Sequence, residues 1–145
     1  MKSRVLFAVL PLIALTACAA FGKHESDEQA LARYVQHAGQ PVDGFTYLGR
    51  IDGWQPLGRD SLLVRTGVNE AYLLKVAQPC SELQFANSIG LTATGHQVSS
   101  RFDSVLVRGQ RCMITEIRPV DYLAVKREAS AQRAAAKQEA AQRRY

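Results

Sequence analysis

Three cysteines, three histidines and a scatter of carboxylates are the side chains able to carry covalent, metal or acid–base chemistry in this sequence. Cys18, Cys80 and Cys112 stand far apart, unlike the close Cys-x-x-Cys pair of a redox site. His24, His37 and His96 fall in a tether, at a helix end and in a loop. No two have metal-ligand spacing and no carboxylate cluster joins them, so they read as surface or locally bonded histidines, with no metal or cofactor implied. No Gly-x-Ser-x-Gly elbow occurs, and no Cys–His pairing is legible. Asp60, Asp103 and Glu116 would make a carboxylate pair only if the fold assembled them, and Asp103 more simply serves a turn before Ser104. Gly44, Gly49, Gly53 and Gly58 are spaced as strand punctuation and not as a phosphate loop. No catalytic residue is assigned, and the expectation is a protein that is not an enzyme. Trp54, Tyr47, Tyr72, Phe85 and Phe102 could line a groove, but a small barrel needs large side chains to fill its interior. Core packing is their first reading. Trp54, Tyr72 and Phe102 are the candidates for a ligand-binding wall.

The most specific chemistry lies at the start of the chain. Lys2 and Arg4 precede an apolar run from Val5 to Leu15, the layout of an export signal. The run is too short for a permanent transmembrane helix, which needs about 20 residues. It ends in Leu15-Thr16-Ala17-Cys18, which resembles the lipobox of bacterial lipoproteins. The resemblance implies a diacylglyceryl thioether on Cys18, cleavage before it, and acylation of the new amino group. Two or three acyl chains anchor stably, at about 0.8 kcal/mol per buried methylene. Ala19 is not the Asp that holds such proteins in the inner membrane. The same resemblance, for a Gram-negative host, therefore places the protein on the periplasmic face of the outer membrane. Lipid on Cys18 leaves Cys80 and Cys112. In an oxidising compartment these two are expected to pair as a structural disulfide; free buried thiols and a redox pair are the alternatives.

Charge sorts by region. The 145-residue chain carries a formal net charge of +5, of which Lys2 and Arg4 belong to the leader. From Cys18 to Arg118 ten basic side chains face ten acidic ones, and from Pro119 to Tyr145 six face three. The domain is neutral and the surplus sits in a tail, which excludes a basic nucleic-acid groove across the fold. The tail reads first as a solvated charged helix.

The elements that position these residues begin with a helix over 26–38. Ser26 can cap it with Gln29 in the capping-box position, and Leu31, Tyr34, Val35 and Ala38 form an apolar stripe that packs on the domain. Gly39 stops it and Pro41 follows. From Phe45 the period changes to two: Phe45, Tyr47 and Ile51 share one face of a strand, broken by Gly49 and Gly53. Residues 61–65 and 71–76 are the best strand pair, joined by a turn containing Gly67 and Asn69. A helical turn runs from Pro79 to Phe85, a short strand covers 89–92, and 94–96 is loop. Residues 104–107 and 112–117 form a second hairpin around Arg108-Gly109. Pro119 suits the first position of a C-terminal helix, with Val120, Leu123 and Ala124 docking on the core. Beyond Val125 the composition favours helix but offers nothing large to bury before Tyr145; Glu139 with Arg143 is a supporting pair.

The predicted architecture is α+β, mainly β: a small curved sheet or partly open barrel of five or six short strands with a helix at each end. The predicted organisation is a signal peptide 1–17, a lipidated tether 18–25, a single β-rich domain 26–125 and a basic helical tail 126–145.

The stretch 54–121 also resembles a domain-of-unknown-function family of small bacterial lipoproteins. The residues behind this are Trp54 with Leu57, Ala71-Tyr72-Leu73-Leu74, Pro79-Cys80 with Leu83, Phe102-Asp103, Cys112 with Ile114 and Ile117, and Pro119-Val120-Asp121. The Cys80-to-Cys112 frame is its specific part. The resemblance implies an exported lipoprotein with a paired-cysteine β domain and carries over no activity. Together these readings give a non-enzymatic envelope lipoprotein whose partners are the membrane, through its anchor, and an envelope protein or cell-wall polymer, without nucleic acid. The rival is a small-molecule or lipid binder using an apolar pocket of the barrel.

Overall fold

The computed structural model describes residues 25–143. The leader, Cys18 and His24 lie outside the described residues. Helix α1 spans Asp27–Gln36. Its capping box is reciprocal: Ser26 Oγ accepts from the Gln29 amide and Gln29 Oε1 accepts from the Ser26 amide, each at 3.2 Å. The buried face differs from the expected stripe by one residue. Ala30 and Tyr34 are buried, whereas Val35 is exposed. Gly39 lies beyond the helix and donates its amide to the Pro119 carbonyl.

Eight strands follow. They are β1 (Gly44–Thr46), β2 (Gly53–Pro56), β3 (Ser61–Arg65), β4 (Glu70–Val76), β5 (Gly90–Leu91), β6 (Gln97–Ser99), β7 (Ser104–Val107) and β8 (Gln110–Asp121). One antiparallel sheet of six runs in the order β2-β3-β4-β8-β7-β5 and curls into a half-barrel; β1 and β6 form a separate pair. The mainly β class and the strongly curved sheet agree with the sequence reading. Two local expectations are corrected. The strand expected from Phe45 to Ile51 is only β1, because Gly49 takes a positive φ of 81° and turns the chain. Gly53, read as a break, lies within β2 together with Pro56, which is tolerated because β2 is an edge strand. The expected loop 94–96 is observed and leads into β6, whose Gln97–Ser99 pairs with β1.

The largest correction concerns Pro119. It does not start a helix; it sits in β8 opposite Tyr72. The 12-residue β8 is the spine of the fold, pairing with β4 over its second half and with β7 over its first. Helix α2 (Tyr122–Gln142) starts directly after it, capped by Asp121 accepting from the Ala124 amide at 3.0 Å. Val125, not Leu123, is its buried residue. From Ser130 onward every described residue is exposed.

The sheet is apolar on both faces. Leu62, Val64, Leu74, Val76, Ile114 and Ile117 point into the curl with Phe45, Val98, Val105 and Val107. Leu63, Ala71, Leu73 and Val120 point the other way and pack under Ala30 and Tyr34 of α1 and Val125 of α2. A bulge lets β8 serve both. Glu116 pairs with Lys75 but Ile114 with Val76, so Thr115 is extra. The extra residue reverses the pleat and keeps Cys112 and Ile114 on the inner face with Ile117.

Candidate functional site

Cys80 and Cys112 are joined. Their Cα atoms are 5.7 Å apart, within the ordinary disulfide range, and both residues are buried in the inner core. Cys80 follows β4 closely and Cys112 stands opposite Val105 in the β7–β8 ladder. The bond therefore ties the segment after one hairpin to the strand of the next.

A second construction surrounds Asp103, which is 6% exposed. Its carboxylate accepts from the Thr92 hydroxyl and from the Ser99 amide, both at 2.8 Å. The Thr92 hydroxyl accepts in turn from the Ser104 amide at 2.8 Å. The Asp103 backbone joins Ser99 and Ile114. A buried carboxylate satisfied in this way holds the turn from Ser99 to Asp103 rigid. The expected turn role of Asp103 is observed, together with a network that sequence spacing could not supply.

That turn presents two side chains outward. Arg101 has φ 71°, a left-handed conformation unusual for a residue with a Cβ, and its amide donates to the Ile114 carbonyl at 2.6 Å. Phe102 is 87% exposed. Beneath them lies an open cleft of about 500 Å³ walled by Val42, Asp43, Gln97, Ser100 and Glu116. Among the described residues none of Asp43, Arg101 and Glu116 takes part in an ion pair. A second cleft of about 510 Å³ lies by Leu48, Arg50, Thr66 and Glu70.

A family model described as a family of unknown function, DUF6491, matches residues 1–136. The chain belongs to DUF6491. No curated protein and no solved structure matches it. The match extends well beyond the stretch 54–121 that carried the sequence resemblance, and it takes in the apolar run Val5 to Leu15 and Cys18.

Within the DUF6491 domain the three aromatic candidates are not brought to one wall. Trp54 and Tyr72 stand in register on either side of Val64 and pack against the inner core. Tyr72 stacks on Phe45 with ring centroids 4.2 Å apart. Burial, and then its hydrogen bond to Glu70, push the Tyr72 phenol up to about 12. Phe102 instead lines the cleft between β1, β6 and β8. Phe85, also read as core, is exposed. No group of three or more His, Cys, Asp and Glu able to hold a metal occurs among the described residues. His37 Nε2 lies 2.8 Å from Glu128 Oε2 and links the two helices. Of the cleft residues, sequence reasoning names Phe102 as a candidate for a ligand-binding wall and Glu116 as one of a carboxylate pair, and it misses Val42, Asp43, Gln97, Ser100 and Arg101. The signal available was Arg101-Phe102 immediately before a turn-forming Asp.

Proposed function

We propose that this DUF6491 protein is an exported, non-enzymatic lipoprotein of the bacterial envelope. Lipid on Cys18 holds it to the periplasmic face of the outer membrane, and its disulfide-bonded β domain contacts an envelope protein or cell-wall polymer. The observation that carries the reading is Leu15-Thr16-Ala17-Cys18 at the end of a signal-length apolar run with Lys2 and Arg4 before it. The Cys80–Cys112 bond supports it, because such bonds persist in oxidising compartments. No helix among the described residues is long and apolar enough to cross a membrane.

The test is mass spectrometry of the mature N-terminus from membranes. The expected species begins at Cys18 and carries acyl chains, and Cys18→Ala moves the protein out of the membrane fraction. A mature N-terminus without lipid, or a wild-type protein recovered in the soluble periplasm, overturns the reading.

A further inference from the structure

The cleft under the Arg101-Phe102 turn has the chemistry of a carbohydrate site, and the geometry points to an uncharged, hydroxyl-rich saccharide chain as its ligand. This narrows the contact proposed above to a glycan, and the cleft does not depend on the lipid anchor.

Three observations carry it. The first is the ring. Phe102 is 87% exposed, yet its turn is locked by the Asp103 network, with the Arg101 amide tied to Ile114. An exposed aromatic on a mobile loop is ordinary; one on a rigid turn offers a flat apolar face whose ordering cost is already met in the fold. The C–H face of a pyranose ring packs on such a surface. The second is the polar lining. Asp43 and Glu116 only accept hydrogen bonds, Arg101 only donates, and the Gln97 amide and the Ser100 hydroxyl do both. Vicinal sugar hydroxyls are donors and acceptors at once and can satisfy both kinds of group. The third is the charge. Two carboxylates and one guanidinium share the cleft without pairing with any described residue. An anion meets the carboxylates and a cation meets the guanidinium, whereas a neutral ligand pays neither repulsion. The size, about 500 Å³, falls in the range of small-ligand sites, and the cleft is open, so a chain can continue past it.

The experiment uses the full chain in a polyoxyethylene detergent, which has no sugar headgroup. Tetramers of N-acetylglucosamine, cellotetraose and maltotetraose are titrated in, and backbone amide shifts are followed by NMR. The expected result is saturable shifts at Ser100, Arg101, Phe102 and Glu116 with at least one sugar, at a Kd of about 1 mM or tighter. Phe102→Ala should weaken that binding about tenfold, the loss of one aromatic contact, with an unchanged melting temperature. Phe102→Trp should retain it, and Leu48→Ala, beside the other cleft, should leave it unaltered. No saturable shift with any of the three sugars at about 20 mM overturns the inference. So does binding that Phe102→Ala leaves intact, or saturation by a cationic peptide in place of sugar. An unlipidated Cys18 with intact sugar binding would sink the anchoring and spare the cleft; lipidation without sugar binding would do the reverse.

Discussion

At the level of single residues, Cys80 and Cys112 show how a covalent link substitutes for core size. The described domain holds its inner core in one curl of sheet, and the disulfide lies fully inside it. The bonded residues are 32 apart in sequence. On chain-entropy grounds, closing a loop of that length is worth roughly 3–4 kcal/mol, against a typical total of about 5–15 kcal/mol. Cys112→Ser should therefore lower stability by about 2–5 kcal/mol, measured by chemical denaturation under oxidising conditions. Reduction of the parent should reproduce most of that loss. A variant that unfolds at the parent's denaturant midpoint would show that the bond is incidental to the fold. The pairing was legible only through a chain of reasoning about compartment, since spacing alone left free thiols and a redox pair open. The three-dimensional reason is plain: β8 carries Cys112 on its inner face only because the Thr115 bulge reverses the pleat.

Individual elements divide by how local their causes are. The capping box of α1, the β3–β4 hairpin and the β7–β8 hairpin were readable because each is specified by a few neighbouring residues. Arg108 and Gly109, for instance, both adopt positive φ, as a tight turn between twisted strands requires. Strand β8 was not readable over its full length. Cys112, Ile114, Ile117 and Val120 are spaced by two, then three, then three, which breaks the alternation of a strand, and Pro119 suits the first position of a helix. The bulge accounts for the first irregular step, and a change of face between Ile117 and Val120 for the second. Pro119 is tolerated because no described strand beyond β4 needs its missing amide donor; its carbonyl accepts from Gly39 instead. β6 was missed because its partner β1 lies about fifty residues earlier, beyond any local pattern. Helix α2 followed expectation in composition but docks through Val125 in place of Leu123. Lys126 Nζ donates to the Val68 carbonyl at 2.8 Å, and Glu128 pairs with His37. Truncation after Ser130 keeps these contacts and removes only exposed helix, so it should change stability by no more than about 0.5 kcal/mol. A fall of several degrees in melting temperature would show that the distal helix packs on the domain.

For the molecule as a whole, the decisive feature is that one sheet separates two apolar layers and that the same strands serve both. On β3, Leu62 and Val64 face the curl while Leu63 faces the helices; on β4, Leu74 and Val76 face inward while Ala71 and Leu73 face outward. Neither layer can be lost without the strands that support the other. The outer layer is the thinner: its buried residues beyond the sheet are Ala30, Tyr34 and Val125 from the helices and Leu57, with Leu31, Ala38 and Tyr122 half-buried around them. Leu63→Ala and Leu74→Ala therefore make a matched pair, since both leucines are buried and sit on neighbouring strands. Each substitution should cost about 2–5 kcal/mol, the usual penalty for opening a cavity in a packed core. Because the layers share β3 and β4, each variant should still unfold in a single step, with backbone circular dichroism and Trp54 fluorescence giving the same midpoint. Trp54 packs on the inner core, so its fluorescence reports the layer that Leu63→Ala does not touch directly. If Leu63→Ala melted the helices first and left the Trp54 signal unchanged until a later transition, the helical layer would be a separable annex. The sheet alone would then be the folding unit that carries the cleft and the disulfide.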